Sequence, residues 1–295
     1  QKIVPGVSYA MICQDDIQTE VFGNKQLVPT VKPLEEGALY DLASLTKVIG
    51  TTTVILQLLE AKKLRLDDRV AKYLPRFTDQ RVTRRHLLTH TSALSGYIKN
   101  RDQLPPAELM AALYTLKPAA WLGKKVVYAD IGLILLGQII EAFYHRPVQA
   151  VITTEVLRPL GMKASTFTPE KKQCVPTELT ATRGLIQGEV HDPKAFILGE
   201  HCGSAGLFSN LADLVKLAKW MLAPQTIPGV LAPETVAMLY ADHTPTHDLG
   251  RSLGWDLRYD RNNTPCLYHT GFTGTFMLLD QKGKNALIVL SNRVH

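Results

Sequence analysis

The stretch Asp41-Leu42-Ala43-Ser44-Leu45-Thr46-Lys47 begins an amphipathic run that continues to Leu59 with apolar residues at helical spacing. Ser44 and Lys47 are three positions apart, so on a helix their side chains lie on one face and can meet. A serine at a helix N-terminus also lies at the positive end of the backbone dipole, which favours developing negative charge. This S-x-x-K pair therefore indicates a serine that takes part in acyl transfer.

The composition is that of a globular protein. The chain has 295 residues, 45% of them apolar, which is enough for one large domain. The formal net charge is +6, but the basic residues are scattered in short pairs such as Lys62-Lys63 and Arg84-Arg85. Scattered pairs are typical of a solvated surface, so we predict no nucleic-acid partner. No apolar stretch approaches the roughly 20 residues of a membrane span, so none is predicted.

Cysteine and histidine show no metal-binding pattern. The four cysteines have no C-x-x-C spacing, and none of the nine histidines lies in an H-E-x-x-H motif. We therefore predict no metal and no cofactor, and buried free thiols. Because the chain starts at Gln1, both ends are expected to be trimmed, and the compartment stays open between the cytoplasm and the cell envelope or exterior of a bacterium.

Strand patterns occur at both ends of the chain and helical patterns between them. We therefore predict an α/β protein of the α+β type: an antiparallel sheet made from both ends and flanked by helices, plus a helical subdomain. A single domain, 1–295, is expected, in which 1–43 and 205–295 form the sheet region and 44–204 is mainly helical. The predicted strands are 4–13, 17–23, 255–259, 266–270, 275–279 and 286–290, and the predicted helices are 44–59, 85–94, 106–116, 130–144, 147–157, 212–222 and 233–240.

Two further motifs follow Ser44 in a familiar order. Tyr128-Ala129-Asp130 resembles the Y-x-N motif of penicillin-recognising serine enzymes, and His269-Thr270-Gly271 resembles their K-T-G or H-T-G motif. Residues 86–94 (HLLTHTSAL) resemble the HLLTHTSGL box of that family, with Ala93 in place of glycine, and 203–209 resemble its small-residue segment. The chain is thus similar, from about residue 6 to 292, to class C β-lactamases, DD-peptidases and family VIII esterases. This resemblance implies a β-lactamase/transpeptidase-like fold.

The resemblance makes Ser44 the nucleophile, with Lys47 and Tyr128 as the candidates to accept its proton. Unperturbed lysine and tyrosine side chains have pKa values of about 10, so neither type is a competent base at neutral pH without help. Both assignments have been argued for this family. We favour Tyr128 as the base, with the cation of Lys47 beside it.

The oxyanion hole implied by the resemblance uses the backbone N–H groups of Ser44 and Phe272. Gly271 would leave room for the substrate, and Thr270 and His269 would bind its carboxylate or amide end. A lysine at position 269 would be a fixed cation, but histidine is mostly neutral at pH 7. We therefore expect carboxylate recognition to be weaker or pH-dependent.

Asp130 departs from the family's asparagine. An ionised carboxylate only accepts hydrogen bonds, whereas an amide also donates. Beside Lys47 it would keep that lysine charged, and it would favour a substrate that bears an amine. Asp130 is also a candidate N-cap for the helix that follows, and whether His191-Asp192 reaches the cleft stays open.

These residues predict a serine hydrolase that forms an acyl-enzyme on an amide or ester: a D-amino-acid peptide, a muropeptide or a small ester. DD-carboxypeptidase, D-aminopeptidase and esterase activities are the alternatives within that class. The expected partner is a small molecule or a peptidoglycan fragment, and the oligomeric state stays open. The alternative from another class is a catalytically weak penicillin-binding or regulatory protein of the same fold.

Overall fold

The computed structural model describes residues 4–295, which form a mixed α/β structure around one antiparallel sheet. Seven strands follow the order β3-β2-β1-β11-β10-β9-β8, so strands from both ends of the chain meet at the β1–β11 pair. This confirms the predicted fold class. The strands are β1 Gly6–Cys13, β2 Asp16–Gln26, β3 Lys32–Pro33, β4 Tyr40–Asp41, β5 Leu179–Thr180, β6 Gly184–Leu185, β7 Phe208–Ser209, β8 Asp256–Tyr259, β9 Pro265–Gly271, β10 Thr275–Asp280 and β11 Asn285–Ser291.

Helices occupy most of the chain between the strands of the large sheet. They are α1 Thr52–Glu60, α2 Arg84–Leu88, α3 Pro106–Tyr114, α4 Ile131–Tyr144, α5 Val148–Ile152, α6 Pro193–Leu198, α7 Leu211–Leu222 and α8 Pro233–Met238. Single 3-10 turns lie at Val70–Lys72, Arg101–Gln103, Lys171–Gln173, Gly199–His201 and Pro224–Thr226. Among residues 4–295, no helix has the length and apolar character needed to cross a membrane.

The core of the protein is built by the apolar faces of α4, α7 and the inner side of the sheet. In α4 nine of the fourteen residues are buried, whereas α7 is amphipathic and covers β1, β10 and β11 with one face. Asn210 caps α7: its side-chain oxygen accepts the N–H of Asp213 at 3.0 Å. The contacts of α7 with these three strands join the helical part of the chain to the large sheet.

Two predicted helices differ from the structure in instructive ways. The helix predicted over 85–94 ends at Leu88, because His90 and Ala93 adopt left-handed backbone conformations with φ of 54° and 55°. The helix that follows Ser44 starts with a π-helical turn, Lys47–Thr51, before α1. Single π-helical turns inside helices are frequent at functional sites.

The four cysteines are free, and three of them are buried as predicted. Cys13 is the exception: it is exposed at the end of β1.

Candidate active site

The segment before Ser44 is held in a strained turn by a buried carboxylate. Ala43 has a φ of 46°, which is unusual for a residue with a side chain. Asp41 accepts the N–H of Ala43 at 2.8 Å and the N–H of His191 at 2.7 Å, while its carbonyl accepts the hydroxyl of Thr273 at 2.7 Å. Asp41 therefore ties the nucleophile segment both to the loop at 191 and to the turn after β9.

A second tie comes from the small-residue segment 203–209. The short strands β4 and β7 pair, and Leu42 donates to the carbonyl of Leu207 at 2.9 Å. The carbonyl of Ser204 reaches further and accepts a hydrogen bond from Lys47 Nζ at 2.8 Å. The 203–209 segment thus supplies a ligand to the site, a role that the sequence motif alone did not suggest.

Lys47 uses its ammonium group to join three partners. Its side chain is 1% exposed, and Nζ lies 2.8 Å from Ser44 Oγ, 2.8 Å from the Ser204 carbonyl and 2.8 Å from Asp130 Oδ1. An ammonium has three protons and no lone pair, so this set of acceptors matches the charged form. The S-x-x-K spacing does bring the two side chains together, as predicted from the helical periodicity.

Electrostatics also keep Lys47 charged. Burial favours the neutral amine, but the attraction of the Tyr128 oxygen and the Asp130 carboxylate outweighs it, so the pKa of Lys47 lies above its ordinary value. A protonated lysine cannot take the proton of Ser44. Lys47 can instead orient Ser44 Oγ and stabilise negative charge nearby.

Asp130 bridges two lysines. Oδ1 contacts Lys47 and Oδ2 lies 2.9 Å from Nζ of Lys194, which also contacts Asp192 at 3.2 Å. Burial raises the pKa of Asp130, but the two cations prevail and hold it well below its usual range, so the carboxylate is ionised. With its charge compensated twice, Asp130 has little attraction left for a substrate amine.

The sequence did not reveal Lys194 or the short helix α6 that carries it. Asp130 stands at the start of α4, but its side chain makes no capping bond there, because both oxygens face lysines. Asp192 instead caps α6 by accepting the N–H of Ala195 at 2.8 Å. The His191-Asp192 segment, left open by the sequence, therefore does border the cleft.

Tyr128 lies at the mouth of the site and is 46% exposed. Its ring centroid is 5.3 Å from Lys47 Nζ. His90 holds the segment on both sides of it: the His90 carbonyl accepts the N–H of Val127 at 2.8 Å, and His90 Nδ1 accepts the N–H of Ala129 at 3.2 Å. The left-handed turn at His90 is thus what places Tyr128 beside Lys47.

His269 lies behind Tyr128, with ring centroids 5.9 Å apart, and is 3% exposed. Burial first, and then the cations Arg251 and Lys47, hold the pKa of His269 well below its ordinary value, so the ring is neutral. Its Nδ1 lies 2.9 Å from the Thr270 carbonyl, which can only accept, so Nδ1 carries the proton. Position 269 therefore supplies no cation to the cleft.

The predicted oxyanion donors flank Ser44. Among the described residues, neither Ser44 N–H nor Phe272 N–H has a backbone or side-chain acceptor, so both are free to bind a substrate oxygen. Gly271 packs directly on the nucleophile segment: an added Cβ would lie 2.4 Å from the Leu42 carbonyl and 2.1 Å from Thr275 Oγ1. Glycine is thus required here by contact within the protein, and not only by room for substrate as the sequence suggested.

Three adjoining cavities converge on these residues. The first, of about 650 Å³, is lined by Ser44, Tyr128, Thr270 and Phe272, with apolar side chains and Arg293 beyond them. The second, of about 330 Å³, shares Ser44, Tyr128 and Phe272 but is lined by charged groups, and the third, of about 560 Å³, adjoins it. The charged residues of the second cavity are Arg101, Asp130, Asp192 and Lys194.

Phe272 lines both of the first two cavities, as Ser44 and Tyr128 do. It is 60% exposed, and its ring stacks on His191 with centroids 5.3 Å apart. His191 is itself fixed by Glu178, 2.8 Å from Nε2. A substrate bound across Ser44 would therefore have one part on the apolar side of Phe272 and the other on the charged side.

An antiparallel sheet with a helical region beside it, and a serine paired to a lysine next to the end of β9, are typical of a serine hydrolase. Comparison with known proteins agrees: the model of the family described as "Beta-lactamase" matches residues 1–295, and the chain belongs to that family.

Individual relatives differ in what they are named for. A protein of Escherichia coli strain K12 named "Putative D-alanyl-D-alanine carboxypeptidase" is 31% identical over 305 residues, which cover 88% of this chain and 70% of the relative. A solved class C β-lactamase has a TM-score of 0.81 at 19% identity, covering 99% of this chain and 87% of its own. EstCE1, described as "a hydrolase with promiscuous acyltransferase activity", has a TM-score of 0.79 at 20% identity, covering 98% and 89%. At these identities the two structures establish the fold alone.

Proposed function

We propose that the protein hydrolyses esters or amides through an acyl-enzyme on Ser44, with Tyr128 as the base. The observation that carries this proposal is the set of three acceptors around Lys47 Nζ. This set supports a charged Lys47, which has no lone pair to accept a proton, and Tyr128, which lines the same cavity as Ser44, is then the candidate base.

The proposed reaction has two halves. In the first half Tyr128, beside Lys47, takes the proton of Ser44 as Oγ attacks the substrate carbonyl, and the Ser44 and Phe272 N–H groups bind the oxyanion. The proton then passes to the leaving oxygen or nitrogen, which leaves the acyl group on Ser44. A water attacks this ester, gives a proton to Tyr128, and the proton returns to Ser44 as the acid departs.

The substrate class that the site favours is an ester or amide whose leaving group has no free carboxylate. In this proposal the leaving group lies beside Thr270, where a family lysine would offer a cation. Here His269 is buried and neutral, so that charge is missing. A small ester or an amide-capped D-amino-acid peptide fits this arrangement better than a β-lactam.

DD-carboxypeptidase activity is a second candidate, since the Escherichia coli relative carries that name. One observation favours it: Arg293 lines the same cavity as Ser44 and Thr270, with its guanidinium 5.6 Å from the Phe272 ring. Arg293 donates to the Phe272 carbonyl and keeps further N–H groups that could bind a carboxylate. Muropeptides ending in D-Ala-D-Ala would then be substrates.

The test combines covalent trapping with turnover. A fluorophosphonate and a fluorescent penicillin are each incubated with the wild type, Ser44→Ala and Tyr128→Phe, and adducts are located by mass spectrometry. We expect an adduct on Ser44, none in Ser44→Ala, and an acylation rate lowered at least about 100-fold in Tyr128→Phe, the range of general-base contributions. If neither probe forms an adduct with the wild type, the proposed hydrolase activity is contradicted, and the alternative of a catalytically weak regulatory protein is supported.

Turnover then identifies the substrate. A panel of p-nitrophenyl esters, D-amino-acid amides, D-Ala-D-Ala peptides and nitrocefin is compared by kcat/KM. Arg293→Gln should lower kcat/KM for the D-Ala-D-Ala peptide selectively if carboxypeptidase activity is the main function. Esters turned over faster than peptides, with no effect of Arg293→Gln on their ratio, would favour the first candidate.

A further inference from the structure

Apart from its contact with Asp130, the buried cation Lys194 has no part in the hydrolysis proposed at Ser44. It lies in the first turn of α6, with its side chain 11% exposed and Nζ directed at Asp130 and Asp192. Burying an ammonium is costly unless it is paired, and a purely apolar side chain would fill this place without that cost. The charge therefore calls for a role beyond packing.

Lys194 has donor capacity left over. Two of its three N–H bonds are accounted for by Asp130 Oδ2 at 2.9 Å and Asp192 Oδ2 at 3.2 Å. The residue lines both the 330 Å³ and the 560 Å³ cavities, and Asp130 stands beside it in each. A third N–H is therefore available at the border of the two cavities.

Arg101 adds donors to the same place. It lines both cavities and pairs with Asp102 through Nε at 2.6 Å and Nη2 at 3.1 Å, which leaves Nη1 free. By contrast, Asp130 and Asp192 are both occupied by ammonium groups. The charged side of the cleft thus has spare donors, while its acceptors are already paired.

Ser44 fixes which part of a substrate meets these donors. In the proposed function the leaving group lies on the Thr270 side of Phe272. The acyl part then lies on the other side, in the 330 Å³ cavity that joins Ser44 to Lys194.

We propose that Lys194 is a substrate-binding residue that donates a hydrogen bond to an oxygen on the acyl part of the substrate, such as the carbonyl of an N-acyl amino acid. Asp130 has a double task in this arrangement: it keeps Lys47 charged and holds Lys194 in position. The inference rests on the proposed function and names the substrate class of the same site: acyl groups with an amide or carboxylate oxygen, in preference to plain alkanoyl groups.

The test uses two esters with acyl chains of equal length, p-nitrophenyl N-acetylglycinate and p-nitrophenyl pentanoate. Their kcat/KM ratio is measured for the wild type, Lys194→Met and Lys194→Arg, with Lys172→Met as the matched control, since Lys172 lies on the surface. Intrinsic reactivity differs between the esters but cancels when ratios are compared between variants.

A hydrogen bond from a charged donor contributes about 1.5–3 kcal/mol, so we expect Lys194→Met to lower the ratio about 10- to 100-fold. Lys194→Arg should keep most of the wild-type kcat/KM ratio, and Lys172→Met should leave that ratio unchanged. An equal loss on both esters would overturn the proposal, because a merely structural lysine would affect them alike.

Two measurements keep the outcome clear. If Lys194→Met does not fold, the kcat/KM ratio of the two esters for the wild type is compared with the ratio of their hydroxide-catalysed hydrolysis rates. A wild-type ratio that exceeds the hydroxide ratio by less than about 10-fold would overturn the proposal. Fluorophosphonate labelling of Ser44 needs no acyl-side oxygen. Labelling with an unchanged ester ratio would reject the role of Lys194 alone, whereas absence of labelling in the wild type would reject the proposed function.

Discussion

Gly271→Ala should separate the end of β9, next to the proposed oxyanion donor Phe272, from the segment that carries Ser44. The new Cβ would lie 2.4 Å from the Leu42 carbonyl and 2.1 Å from Thr275 Oγ1, whereas real Cβ contacts of this kind are not shorter than 3.0 Å. The strand and the Leu42 segment must therefore move apart by about 0.6–0.9 Å. The Leu42 backbone is held by the hydrogen bond that its N–H donates to the Leu207 carbonyl. Thr275 Oγ1 in turn donates to the Leu42 carbonyl at 3.2 Å, so neither neighbour is free to move away.

The expected cost falls on activity more than on stability. A misplacement of about 1 Å between reacting groups can lower a rate about 100-fold, while overpacking of a well-filled site costs about 1–3 kcal/mol. The assays are the rate of fluorophosphonate labelling of Ser44, kcat/KM with a p-nitrophenyl ester, and the free energy of unfolding in urea.

Gly96→Ala is the matched control, because an added Cβ there meets no atom of residues 4–295 within 4 Å. Its free energy of unfolding in urea should equal or slightly exceed that of the wild type. A Gly271→Ala protein with wild-type labelling and turnover would refute the inference that β9 and the Leu42–Ser44 segment are held in direct contact.

Two further predictions concern stability. Burial raises the pKa of Asp41 from 3.8 to about 6, despite the N–H groups of His191 and Ala43 that bond it, so the folded state holds this proton more tightly than the unfolded chain. Its contribution to stability is most favourable below about pH 4 and declines, by at most about 3 kcal/mol, as pH rises to about 6. The unfolding free energy of the wild type should therefore fall relative to that of Asp41→Asn across this window, and parallel curves would contradict this. Ala93→Gly should raise the unfolding free energy by about 0.5–1 kcal/mol, because a φ of 55° strains alanine but not glycine; a less stable variant in urea would count against it.

The periodic parts of the chain were predictable because burial imposes their pattern. α4 buries most of its residues, α7 buries one face, and β9, β10 and β11 alternate, so the sequence carries their signatures clearly. The helix predicted over 85–94 extends beyond the observed end at Leu88, because residues other than glycine that adopt a left-handed conformation leave no signal in the sequence. His90 and Ala93 look like ordinary helix formers until their backbone is seen.

The contacts of the site were partly predictable. Ser44 and Lys47 meet because of helical spacing, which the sequence states directly. Lys194 could not be foreseen in the same way, since its partner Asp130 is 64 positions earlier and α6 is too short to show a period. Asp130 gave no signal for it either, because Lys47 already balances the charge of this one carboxylate.

The pairing of β1 with β11 also has a consequence for how the protein is made. β1 is synthesised before the helical region, yet the partner on its inner edge, residues 285–291, emerges only after that whole region. Until then the β1–β2 hairpin presents an unpaired edge, the kind of surface on which nascent chains aggregate. β9 and the turn at Phe272 likewise follow the helical region, so Ser44 meets them only after that region has been synthesised. The time at which a fluorophosphonate begins to label Ser44 would then report when β9 and the turn at Phe272 dock beside it, a late long-range step of folding.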